Sequence, residues 1–225
     1  MTIIYQSSNN SITKENLISS FERDLYTTSA NGKKGCFRYG LSDQGPYTIS
    51  ECHCVNFMDR ISRKMFIEMP LMEKVQETFL RQKQLIVYSL GSGGCYQELS
   101  ICVQLAKHGY SIQKIVLVDH EYTKMEKDER VSTFKRLFQT LFSQEAKVSV
   151  YQTEKDYFGA IETLKEEKPD VILCIDIESE RLPYRCDNWK KMAGDHLSVF
   201  VYHNISHDDR DFTNSIETIG STTIT

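Results

Sequence analysis

Three glycines in four positions, Gly91, Gly93 and Gly94, follow a strongly apolar segment and precede a helical pattern. Glycine lets main-chain amides approach a ligand closely, and the N-terminus of the helix behind them favours electron-rich groups. Asp119 ends the next apolar segment, where a carboxylate can bind the hydroxyls of a ribose. These residues, together with Ser92 inside the glycine loop, predict a binding site for a nucleotide-type cofactor.

The spacing of the glycines restricts the kind of cofactor. Tyr96 stands where a dinucleotide-binding motif has its third glycine, and the loop lacks the Lys-Ser or Lys-Thr ending of a P-loop. A ligand with a ribose and a small zwitterion but no phosphate therefore fits better than a pyrophosphate or a triphosphate. The alternative is a tight strand–helix turn in which glycine serves packing alone.

Two further polar residues end predicted strands. Asp176 lies at the end of the apolar segment 171–177, and His203 follows the segment 197–202. Ligands of open α/β sheets bind outside the carboxyl ends of the strands, so both residues are candidate catalytic bases. The alternatives are a charged loop around Asp176 and a structural role for the histidine.

The seven cysteines are an odd number, and two of them, Cys102 and Cys174, fall in predicted buried elements. This usage predicts free thiols in a reducing compartment. The spacing of the cluster Cys36, Cys52, His53 and Cys54 does not match common zinc loops, so no metal site is predicted.

Composition restricts location and partners. The net charge is −4 with scattered Lys and Arg, which argues against duplex DNA. A signal peptide and a membrane-length apolar stretch are not recognised, so we expect a cytoplasmic protein that does not bind a membrane.

Alternating strands and helices would position these residues. Strands are predicted at 85–90, 115–119, 147–151, 171–177 and 197–202, and the helices between them at 95–108, 128–142, 156–167 and 188–193. Strands and helices in this alternation predict a three-layer α/β fold, with a parallel sheet in the order 3-2-1-4-5.

The two ends of the chain lie outside this alternation. Residues 1–70, with a helix at 13–25, are predicted to form a helical or irregular N-terminal extension, and 71–225, opening with a helix at 70–84, the main domain. The tail 215–225 is expected to form a hairpin around Gly220-Ser221 or no structure.

Residues 85–203 resemble the core of class I S-adenosylmethionine-dependent methyltransferases, which has a Rossmann-like fold. The resemblance implies that Gly91, Ser92, Gly93 and Gly94 lie beside the amino-acid part of S-adenosylmethionine. It implies that Asp119 binds the ribose, and His120 beside it is included in the site. Glu154, or its neighbours Thr153 or Asp156, falls in the adenine region, and Asp176 faces the substrate. Ser89 stands where the family usually has an acid.

The resemblance implies an S-adenosylmethionine-binding, methyltransferase-like protein that acts on a small-molecule or protein acceptor. The acceptor and the oligomeric state stay open. The alternative is a catalytically inactive Rossmann-like scaffold that acts through protein–protein contacts, which Ser89 and the short segment after His203 favour. A nicotinamide-dependent oxidoreductase is a third hypothesis, and Tyr96 opposes it.

Overall fold

The computed structural model describes residues 13–24, 38–39, 49–50, 63–119, 122, 129–153, 167–178, 193, 196–205 and 214–219. These residues form four α-helices: α1 (Lys14–Asp24), α2 (Met69–Thr78), α3 (Tyr96–Lys107) and α4 (Glu129–Leu141). A π-helical turn, Lys64–Glu68, runs directly into α2. The strands are β1 (Arg38–Tyr39), β2 (Ile49–Ser50), β3 (Gln84–Leu90), β4 (Ser111–Val118), β5 (Lys147–Tyr151), β6 (Val171–Glu178), β7 (Ser198–Ile205) and β8 (Asn214–Ile219).

The main sheet has the strand order β5-β4-β3-β6-β7-β8. Its first five strands are parallel, which confirms the predicted 3-2-1-4-5 order and the Rossmann-like α/β fold. This order is typical of the class I methyltransferase fold. From β3 the chain adds β4 and then β5 on one side of the sheet, and from β6 onward it adds strands on the other side of β3. The crossing direction therefore reverses between β3 and β6.

The tail differs from its prediction. Residues 214–219 form β8, which pairs antiparallel with β7, with Phe200 opposite Glu217. The expected hairpin turn at Gly220-Ser221 lies outside the described residues. Pairing with β7 satisfies main-chain groups that would otherwise form an open sheet edge.

Apolar residues bury both faces of the sheet. Leu85 and Val87 point to the face that packs under the helices, and Ile86 and Tyr88 point to the opposite face. Parallel sheets are covered on both sides, which explains why these strands are continuously apolar in sequence. The predicted helices 156–167 and 188–193 lie, apart from their last residues, outside the described part of the chain.

The N-terminal elements share the main core. Leu17 and Phe21 of α1 are buried, and the Phe21 ring stacks on Tyr96 with the ring centroids 5.4 Å apart. The helix predicted at 70–84 begins earlier, at Lys64, and ends at Thr78 because Phe79 is extended. The predicted domain boundary at residue 70 thus falls inside a continuous helical segment, and the division into 1–70 and 71–225 stays a prediction.

A buried carboxylate connects three strands at their amino ends. Asp170, which precedes β6, accepts hydrogen bonds from the main-chain N–H of Ile86 at 2.9 Å and from Lys83 Nζ at 2.7 Å. His196 Nε2 lies 3.0 Å from the same carboxylate. This cluster lies at the edge of the sheet opposite the glycine loop, and it was not predicted from the sequence.

In the part of the chain that the structure describes, no helix has the length and apolar character needed to span a bilayer.

Candidate functional site

The glycine loop, residues 91–95, connects β3 to α3 at the point where the crossing direction of the sheet reverses. Ligands of open α/β sheets bind in the crevice at such a point. Gly91 and Gly93 have positive φ angles of 73° and 42°, and Cys95 is a non-glycine residue at φ 63°. The loop therefore needs glycine to turn from the strand into the helix.

Asp119 meets this loop. The main-chain N–H of Gly93 donates a hydrogen bond to Asp119 Oδ2 at 2.8 Å. Asp119 is 8% exposed and follows β4 directly. Its main-chain N–H donates to the Tyr151 carbonyl at the end of β5. The structure thus brings the predicted glycines and the predicted carboxylate together at the carboxyl edge of the sheet.

The loop amides are partly used inside the protein. Gly91 N–H donates to the Val118 carbonyl at 2.8 Å, and Gly93 N–H is bound to Asp119. The glycine pattern predicts that these amides face a ligand. In the structure, glycine at positions 91 and 93 instead permits positive φ angles and places no side chain in the space beside the loop. A Cβ atom at position 93 would lie 3.9 Å from Asp119 Oδ2, so glycine keeps the space beside the carboxylate clear.

Tyr122 lies beneath the loop and is fully buried. Its hydroxyl is 2.7 Å from Ser92 Oγ and 2.9 Å from Cys95 Sγ. This bridging role of the hydroxyl was not predicted from the sequence. The sequence signal that could have found it is the short spacing from Asp119, which places both residues in one turn.

Burial keeps the groups under the loop neutral. Burial, and then the nearby Glu98 carboxylate, raises the pKa of the Cys95 thiol far above its ordinary range. Burial, and then the neighbouring Cys95, likewise raises the pKa of the Tyr122 hydroxyl. The Arg130 guanidinium lies 5.8 Å from the centre of the Tyr122 ring. Neither group is therefore a nucleophile at neutral pH.

A second carboxylate lies close to the loop. Ser89, two residues before Gly91, donates a hydrogen bond from Oγ to Glu98 Oε1 at 2.8 Å. Glu98 is 3% exposed and sits in the first turn of α3, where the helix dipole stabilises a negative charge. Ser89, which stands where an acidic residue is usual, is thus in contact with the Glu98 carboxylate from the following helix.

The segment before α2 also contacts the first turn of α3. Arg63 Nη1 donates to Gln97 Oε1 at 3.1 Å, and Gln97 Nε2 donates to Glu68 Oε1 at 2.9 Å. All three side chains are buried. These three residues were not predicted from the sequence, because their interaction depends on two segments that are distant in the chain.

The two predicted catalytic bases lie on neighbouring strands. Asp176 lies in β6, beyond the paired residues Leu90 and Cys174, and His203 lies in β7 opposite Asn214. Their main-chain positions are therefore at the same edge as the glycine loop, and the structure does not describe their side chains. His120 and Glu154 lie outside the described residues.

Within the described ranges, no group of three or more His, Cys, Asp or Glu could hold a metal ion. The Cys36, Cys52, His53 and Cys54 cluster lies outside those ranges. The three described cysteines, Cys95, Cys102 and Cys174, are buried and are not in disulfides.

Comparisons with known proteins give a match in three-dimensional structure but none in sequence. No protein-family model matches the chain, and no curated protein matches it in sequence. Among solved structures, the chain is similar to an O-methyltransferase from Bacillus cereus in complex with SAH. That protein is 16% identical, the match covers 89% of this chain and 68% of that chain, and the TM-score is 0.43. The strand order of this chain carries the fold assignment by itself.

Proposed function

We propose that the glycine loop and Asp119 bind S-adenosylmethionine and that the chain is a methyltransferase-like protein. The observation that carries this proposal is the 2.8 Å hydrogen bond between Gly93 and Asp119. It joins a glycine bend after one strand to a carboxylate after its neighbour, at the edge where open α/β sheets bind ligands.

The residues present fit such a ligand. A carboxylate can accept about four hydrogen bonds, so Asp119 can keep the Gly93 amide and still accept from two ribose hydroxyls. Gly91 is exposed and Gly93 is half-buried, and neither has a side chain that would occupy the adjacent space. The absence of side chains at Gly91 and Gly93 supports a close approach between the main chain and the amino-acid part of the ligand.

Charge supports a ligand without phosphate. Segment 85–101 contains no Lys or Arg, and the carboxylates of Asp119 and Glu98 both lie near the loop. The loop itself offers no cation to a pyrophosphate, although the Arg130 guanidinium lies below it at the Tyr122 ring. The two carboxylates favour S-adenosylmethionine, whose sulfonium and ammonium groups outnumber its one carboxylate.

The bound cofactor would supply an electrophilic methyl group for an in-line displacement. The chain's own contribution would be to hold the acceptor in line and to exclude water. Where the acceptor is protonated at neutral pH, we propose Asp176 or His203 as the base, because both positions lie at the carboxyl edge.

An inactive scaffold is the second candidate function. It is favoured by three large apolar side chains on the segment Lys64–Thr78, Met65, Phe66 and Met69, which are 50–56% exposed. Exposed apolar side chains that cluster are typical of protein–protein contact sites. Ser92, Cys95 and Asp119 also have partners within the protein, so the loop is ordered by internal contacts.

A thermal-shift and calorimetric titration separates these functions. We expect S-adenosylmethionine and S-adenosylhomocysteine at about 100 times Kd to add about 2.7 kcal/mol, raising Tm by about 5–10 °C. NAD serves as the control and should leave Tm unchanged. A shift with NAD alone would support the oxidoreductase, and no shift with any of the three would support the scaffold.

A further inference from the structure

One turn holds the glycine loop at three atoms. Asp119 binds the middle of the loop at Gly93, and the Tyr122 hydroxyl binds both flanks, at Ser92 Oγ and Cys95 Sγ. The Tyr122 N–H donates to the Asp119 carbonyl at 3.2 Å, which closes the turn that carries both side chains. The carboxylate and the loop are therefore placed relative to each other by a single structural unit.

We infer that Tyr122 is a positioning residue for the cofactor. The Tyr122 hydroxyl holds the loop 91–95 against Asp119 in the conformation that binds the ligand. This inference rests on the proposed function. Tyr122 itself is fully buried and acts through Ser92 and Cys95.

The loop needs such support because of Cys95. A non-glycine residue at φ 63° is strained and persists only when its surroundings hold it. The contact between Cys95 Sγ and the Tyr122 hydroxyl is one restraint, and the hydrogen bond from Cys95 N–H to the Ser92 carbonyl at 2.7 Å is another. Loss of the hydroxyl therefore removes the side-chain restraints on Ser92 and Cys95, while Asp119 and the main-chain hydrogen bond of Cys95 are retained.

The hydroxyl is suited to a bridge between two partners. A phenol has one hydrogen to donate and can also accept, so it can donate to one neighbour and accept from the other. Ser92 Oγ and Cys95 Sγ can each act in either role. A phenylalanine ring fills the same volume and removes both interactions.

The test compares Y122F with Y110F. Tyr110 is also buried, and its hydroxyl donates to the Phe79 carbonyl at 3.0 Å, near the opposite end of α3. Each variant loses one buried hydroxyl, so we expect a similar fall in Tm of a few degrees. Only Y122F should weaken S-adenosylmethionine, by about tenfold in Kd measured by calorimetry, and speed hydrogen exchange of the Gly93 amide.

A double-mutant cycle tests whether Tyr122 acts through the loop. In a background that carries S92A and C95A, Y122F should cause less than a twofold further loss of affinity. If Y122F and Y110F bind equally well while the wild type binds, the inference is overturned and the proposed function stands. An undiminished effect of Y122F in the S92A/C95A background also overturns it. If the wild type binds no adenosyl ligand, the proposed function itself fails.

Discussion

Asp119 Oδ2 and the Gly93 amide nitrogen are 2.8 Å apart although the two residues are separated by 26 positions in the chain. The contact joins the carboxyl ends of adjacent parallel strands, β3 and β4. A carboxylate in this place stabilises the loop and can also accept hydrogen bonds from a ligand. Substitutions here should therefore affect stability and affinity together, and controls elsewhere in the sheet are needed to separate the two effects.

Asp119→Ala should weaken S-adenosylmethionine by more than tenfold, which corresponds to at least about 1.4 kcal/mol. The substitution removes the proposed acceptor for the ribose hydroxyls and one restraint on Gly93. Titration calorimetry at a temperature where the variant is folded gives the Kd. An unchanged Kd would remove Asp119 from the site.

Gly93→Ala should lower both stability and affinity. Alanine at φ +42° is strained, at a cost of about 1–2 kcal/mol, and its methyl group would lie 3.9 Å from Asp119 Oδ2. Gly109→Ala is the matched control, because φ is +83° there and the added Cβ meets nothing within 4 Å. Urea denaturation should show similar losses for both variants. Equal binding by both would show that position 93 does not border the ligand.

Asp170→Ala should destabilise the fold by about 2–4 kcal/mol without changing ligand affinity. The substitution leaves the Ile86 N–H without its acceptor and removes the partner of Lys83 and His196. Glu77→Ala, which breaks an exposed ion pair with Lys74, should cost less than about 0.5 kcal/mol. A Kd that changes in Asp170→Ala while the protein is fully folded would contradict a purely structural role.

Stability should fall at alkaline pH because of two buried thiols. Burial, and then the Glu98 charge, raises the pKa of both Cys95 and Cys102, so they stay protonated in the folded protein. In the unfolded chain they ionise near pH 8.5. Raising the pH above that value therefore stabilises the unfolded state, by up to about 1.4 kcal/mol per unit for each thiol.

The measurement is urea denaturation between pH 7.5 and 10. The variant Cys95→Ala/Cys102→Ala should lose stability less steeply with pH than the wild type, because two of the ionising groups are absent. Equal slopes for the two proteins would mean that these thiols ionise as readily in the folded state.

The strands and their order were predictable because they depend on local pattern and on general rules of connection. The continuous apolar segments 85–90 and 171–177 predicted buried strands, and both are present with bounds that differ by one residue. Right-handed crossovers then restricted the order. The antiparallel β8 was not predicted, because Asn214–Ile219 is short and its pairing depends on the open edge of β7.

The sequence by itself determined which elements form and that glycines and an acid follow adjacent strands. Only the tertiary structure decided what those residues contact. Gly93 binds Asp119 rather than leaving its amide bare, Tyr122 bridges Ser92 and Cys95, and Glu98 reaches back to Ser89. The physical reason is the distance along the chain over which each signal acts. Hydrophobic periodicity is a local property of the chain, whereas hydrogen bonds between loops depend on side-chain directions that are fixed by the packing of the sheet.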